Sequence, residues 1–102
     1  MLYQQGDVLI HRIEKLPPVK KLARRENGFV LADGEVSNHA HVIEEEDTVF
    51  VAEDGTLYLS VDAPVIVHHE EHKAITIAPG IYRVGRVQEV DPFTKEISAV
   101  RD

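Results

Sequence analysis

The chain contains no cysteine. Disulfides, thiolate metal ligands, cysteine-rich zinc motifs and thiol nucleophiles are therefore excluded. Any metal it holds must take imidazole and carboxylate ligands. Long apolar runs are also lacking. None approaches the roughly 20 residues that a membrane helix needs, so no membrane span is expected. The opening MLYQQGDVLI has no basic segment ahead of an extended apolar core, so a secretory signal is not expected and a cytoplasmic location is. Basic charge is scarce, with 11 Lys and Arg against 18 Asp and Glu and a formal net charge of -7. Such a surface repels phosphate backbones, so nucleic acid is not an expected partner. There is no glycine-rich phosphate loop and no Gly-x-Ser-x-Gly elbow. The acidic run at residues 44–47 lacks the spacing of a calcium loop and is expected to be a solvated turn.

Helix signals are weak. Residues 19–26 have room for one or two turns at most, because Pro17-Pro18 precedes them and Asn27-Gly28 follows. Lys20, Lys21, Arg24 and Arg25 in this stretch form the one basic patch, expected to be a solvated connection, with docking of an anion as its functional alternative. Strand signals are abundant: DVLIHRI, FVLA, AHVI, TVFVA, TLYLSV, PVIVHH, AITIA, IYRVGRVQEV and EISAV. About nine short strands at even spacing predict an all-β fold, a small, mostly antiparallel barrel or sandwich with at most one short helix. A chain of 102 residues is expected to make one domain spanning residues 1–102. A domain this small buries a modest share of its surface, so a homo-oligomer, a dimer first, is expected as a supplement.

Turn residues and alternation locate individual hairpins. Asp54-Gly55 between TVFVA and TLYLSV predicts a tight hairpin, because glycine supplies the positive φ such a connection needs. In PVIVHH, Val65, Val67 and His69 share one face, and Ile66 and His68 the other. Aligning apolar residues predicts that Val67 pairs with Ile75 and Val65 with Ile77, through a three-residue loop at Glu70, Glu71 and His72.

Five of the six histidines lie in two stretches, GEVSNHAHVI and VHHEEHKAI. In an extended segment His39 and His41 face the same way, so two imidazoles aim at one point. His69 and His72 from the following hairpin complete a candidate divalent-metal site. Neutral imidazole suits zinc, copper, iron and nickel, with zinc the first candidate. Three protein ligands would leave an open position for a reaction, and four would favour a closed structural role. Glu70 and Glu71 are candidates for a carboxylate ligand or for orienting a ring. Glu71 is also the candidate general base. His11, alone in an apolar strand, is expected to be structural, and His68 points away from the site.

Two resemblances follow from these motifs. His39, His41 and Glu45 or Glu46, after Gly34, are similar to the first metal motif of the cupins. That resemblance implies a minimal cupin-like enzyme or sugar-binding protein. The second cupin motif has no counterpart, since Pro79-Gly80 leads into IYRV without a histidine. Over most of its length the chain more closely resembles a set of small, functionally uncharacterised bacterial and phage-associated proteins. The pieces are QGDVLI at residues 5–10, VLADGEVSNHAH at 30–41, HEEH at 69–72, PGIYRV at 79–84 and QEVDP at 88–92. The resemblance implies that His39, His41, His69, Glu70, Glu71 and His72 belong to one recurring pattern. It brings no activity with it, so a non-enzymatic interaction module with structural histidines stands as the alternative to a metal-binding β-protein.

Overall fold

A computed structural model describes residues 1–33 and 39–87. Ten strands run through them: β1 Leu2–Gln5, β2 Val8–Ile13, β3 Lys20–Lys21, β4 Phe29–Asp33, β5 Ala40–Ile43, β6 Val49–Val51, β7 Leu57–Val61, β8 Val65–His68, β9 Ile75–Ile77 and β10 Gly80–Arg86. They form two antiparallel sheets, one of six strands in the order β1-β2-β10-β7-β6-β3 and one of four in the order β4-β5-β8-β9. The fold is all-β and sandwich-like, without barrel closure. No helix occurs among the described residues, so none is long and apolar enough to cross a membrane.

Period-two alternation builds the core. In β8, Val65 and Val67 are buried while Ile66 and His68 are exposed. The inward residues of the two sheets meet in one cluster that includes Val8, Ile10, Ile43, Leu59, Val67 and Tyr82. Tyr82 brings a polar tip into this interior, and its hydroxyl donates to the Ala78 carbonyl at 2.7 Å. That bond removes the penalty of a buried, unpaired O–H.

Several local expectations meet their counterparts here. Val65 pairs with Ile77 and Val67 with Ile75, the register expected from aligning apolar residues. The loop between them is longer than three residues, because the strands end at His68 and resume at Ile75. The β6–β7 hairpin closes through Gly55 at φ 90°, with the Gly55 amide donating to the Ala52 carbonyl. Residues 19–26 carry no helical turn. Lys20 and Lys21 pair as an edge strand with Val51 and Phe50. Lys21, Arg24 and Arg25 face Asp47, Glu46 and Asp33, so three of the four patch cations have carboxylate neighbours. The expected strand EISAV, the end of IYRVGRVQEV, the QEVDP segment, Ser37 and Asn38 lie outside the described residues.

Two features prepare one end of the sandwich. The β1–β2 hairpin turns through only Gly6 and Asp7, since Gln5 pairs with Val8. Gly6 has φ 58°, and Asp7 is not among the positive-φ residues; this pattern matches a type II′ turn, which wants glycine first. In the second sheet a bulge falls in β4 between Val30 and Ala32, opposite His41 of β5. Such an extra residue locally bends the strand and re-aims its neighbours.

Candidate metal centre

Four histidines meet at this end, contributed by the start of β5 and by the β8–β9 loop. His41 sits within β5 and is 2% exposed. His39 lies one residue before that strand and is half-buried, as is His69, while His72 is exposed. The ring centroids of His41 and His69 are 4.4 Å apart, those of His69 and His72 4.5 Å, those of His39 and His69 5.6 Å, and those of His41 and His72 5.9 Å. Two imidazoles on one ion at 2.0–2.1 Å bonds have centroids about 5 Å apart. Among the described residues, however, no three or more such donors form a group ready to hold an ion.

The hydrogen bonds fix which nitrogens are available. Gln5 is 3% exposed, and its amide nitrogen donates to the carbonyls of Val67 and Lys73 at 3.0 and 2.9 Å. Its Oε1 therefore faces His41 Nδ1, at 2.8 Å. An amide oxygen only accepts, so His41 carries a proton on Nδ1, and in the neutral ring Nε2 keeps a bare lone pair. An imidazole N–H held by a carbonyl-type oxygen is the usual outer support of a metal-binding histidine. Burial, and then the neighbouring His69, push the His41 pKa below its ordinary value, which favours the neutral ring.

His69 is tied differently. Its Nδ1 accepts the backbone N–H groups of Glu71 and His72 at 3.0 and 3.2 Å. The ring shapes the loop as an Asn or Asp side chain does in a turn, and its proton in the neutral form is on Nε2. Glu70 is also structural: Oε1 accepts the Ala40 amide at 2.9 Å and anchors the loop to β5. That backbone hydrogen bond is the chief cause of its lowered pKa. Glu71 is exposed, with Oε2 3.9 Å from His39 Nδ1.

The β1–β2 turn supplies groups that the sequence motifs did not single out. Asp7 Oδ1 lies 3.6 Å from His41 Nε2. Its other oxygen receives Arg86 Nη2 at 2.6 Å and Nε at 3.2 Å. Burial raises the Asp7 pKa, but the Arg86 hydrogen bond and charge outweigh it and hold the carboxyl below its ordinary range. Gly6 leaves room for His72, since a Cβ there would come within 2.6 Å of His72 Nε2. The one sequence signal was position: Gln5, Gly6 and Asp7 open the QGDVLI segment.

The remaining candidates are not among the four meeting rings. His68 lies on the outer face of β8, in a shallow cleft of about 270 Å³ lined also by Ala40, Val42, Glu44, His69 and Glu70. His11 is half-buried in β2, paired across strands with Leu2 and Arg83. Glu45 and Glu46 line an acidic cleft with Thr48, Ser60 and Asp62 that none of the four histidines enters. The cupin-like trio of His39, His41 and Glu45 or Glu46 is therefore not gathered in one place.

Fold and side chains together define a small two-sheet β-protein with a histidine and carboxylate cluster at one end. The chain matches the family described as a domain of unknown function (DUF8820) over residues 4–87, and it belongs to that family. Neither the curated proteins nor the solved structures give a match.

Proposed function

We propose that this protein binds a divalent transition metal, zinc first, at the cluster of His39, His41, His69 and His72. What supports this most is His41: a buried imidazole whose Nδ1 is held by the Gln5 amide oxygen, which in the neutral ring leaves Nε2 as a lone pair, 3.6 Å from Asp7 Oδ1. The His41 and His72 ring centroids, 5.9 Å apart, lie near the spacing of two imidazoles on one ion, and the half-buried to exposed rim leaves access for an ion. Bound zinc would supply a Lewis acid and lower the pKa of a coordinated water. Glu71 is the exposed carboxylate on that rim. It is our candidate for accepting a proton should the site prove hydrolytic.

The alternative is a non-enzymatic interaction module whose histidines only hold the loop. It draws support from His69, whose Nδ1 is committed to the backbone. Calorimetric titration with zinc, nickel and manganese of tag-free protein separates the two. The wild type and His11→Ala should bind zinc, and the His39→Ala/His72→Ala double variant should not. Wild-type protein that binds none of the three metals better than the double variant would leave only the structural reading.

A further inference from the structure

At this end of the sandwich a carboxylate oxygen faces a histidine nitrogen. With its proton on Nδ1, His41 turns a bare nitrogen toward Asp7 Oδ1, 3.6 Å away. In the neutral ring these are two lone-pair atoms facing one another. A cation between them, a proton or a metal ion, would be held by both. Two ligand atoms on one ion at 2.0–2.2 Å bonds are separated by about 3–3.5 Å, so a small closure brings this pair to ligand spacing. Asp7 is also supported as a ligand would be. Arg86 occupies Oδ2 through two nitrogens and leaves Oδ1 for the site. The Val87 amide donates to the Asp7 carbonyl at 2.8 Å, which fixes the turn to β10.

His69 has the opposite arrangement. The lone pair of its Nδ1 is used by two backbone amides, and its Nε2 bears the proton. Neither nitrogen can ligate an ion without dismantling the turn that carries Glu71 and His72, or without losing a second proton. We propose that Asp7 is the carboxylate ligand of the metal site, acting with His41 and His72, and that His69 is a loop-forming residue and not a ligand. The assignment rests on the metal-binding reading above and specifies its donors. It makes the site span both sheets, with His41 and His72 from one and Asp7 from the turn of the other. Arg86 is then a positioning residue that orients the carboxylate.

Zinc titration of four proteins tests it: wild type, Asp7→Asn, Arg86→Leu and His69→Asn. Asparagine at position 69 can still accept the two backbone amides but is a poor ligand. Asp7→Asn should weaken zinc binding at least 100-fold, and Arg86→Leu about 10-fold, in the range of lost outer support. His69→Asn should stay within about 3-fold of wild type. Long-range ¹H–¹⁵N spectra of the imidazoles should show zinc perturbing His41 and His72 while His69 keeps its Nε2–H form. Denaturation midpoints check that each variant is folded. Should Asp7→Asn unfold the protein, the His69→Asn titration and the spectra still decide. Equal losses in Asp7→Asn and Arg86→Leu would mean that only the ion pair matters, and would overturn Asp7 as a ligand. Loss of binding in a folded His69→Asn, or zinc shifts on His69 nitrogens, would overturn the division of roles. Failure of the wild type itself to bind zinc would instead remove the metal-binding reading.

Discussion

Replacing Gln5 with leucine should destabilise the protein far more than a substitution near the start of a chain usually does. The side chain is 3% exposed and ties three partners: the Val67 carbonyl, the Lys73 carbonyl and His41 Nδ1. Leucine fills similar space but satisfies none of them. A buried group left without a partner costs about 1–3 kcal/mol. The Lys73 carbonyl belongs to an exposed residue, so water can replace its bond at little cost. Val67 is fully buried and His41 nearly so, so two deserted groups remain, offset in part by the apolar surface leucine buries. The net loss should be about 2–3 kcal/mol. For a domain of this size that lowers the melting temperature by roughly 10–20 °C. Urea denaturation in chelator-containing buffer measures it. A double-mutant cycle with His41→Phe should show positive coupling, because removing both partners deserts one group fewer than the single changes predict together. A loss below about 0.5 kcal/mol would refute the view that Gln5 holds His41 in one tautomer.

Gly6→Ala should cost about 1–2 kcal/mol, from positive φ at an L-residue, and should also displace His72, whose ring occupies the space of the new methyl. Denaturation combined with the His72 imidazole shifts checks both, and an unmoved ring would contradict the packing. Metal-free stability should fall as the medium is acidified. His41 has a folded pKa below its ordinary value, so the unfolded chain takes up that proton first. Stability is lost as pH falls from about 6.5 toward the folded value. Asp7, also lowered, adds a second loss as pH falls below about 3.9. Denaturation midpoints that stay flat or rise from pH 7.5 to 5 would contradict the first limb.

The sequence by itself determined the strands that alternate. Val65, Val67, Ile75 and Ile77 can meet on one inner face in only one register, and the β8–β9 pairing follows it. The same period put His39 and His41 on one side and turned His68 away from them. Glycine at position 55 marked its hairpin because few other residues accept φ 90°. Strands without that pattern were not legible. β1 ends in two glutamines and β3 is two lysines, and such polar residues become strands only because a neighbouring edge pairs with them. The expected helix at residues 19–26 gave way to that pairing, since local propensity over so short a stretch is weak against sheet hydrogen bonds. The three-residue loop failed for a chemical reason: His69 bonds the backbone of its own loop, a role that spacing does not reveal. The tertiary structure alone decided the rest of the site. Asp7 and Arg86 are 79 positions apart and meet only because β2 and β10 pair antiparallel. Gln5 reaches His41 only because the first sheet packs over the second. Periodicity is a property of neighbours along the chain, whereas this cluster depends on which strands lie side by side and which sheet faces which.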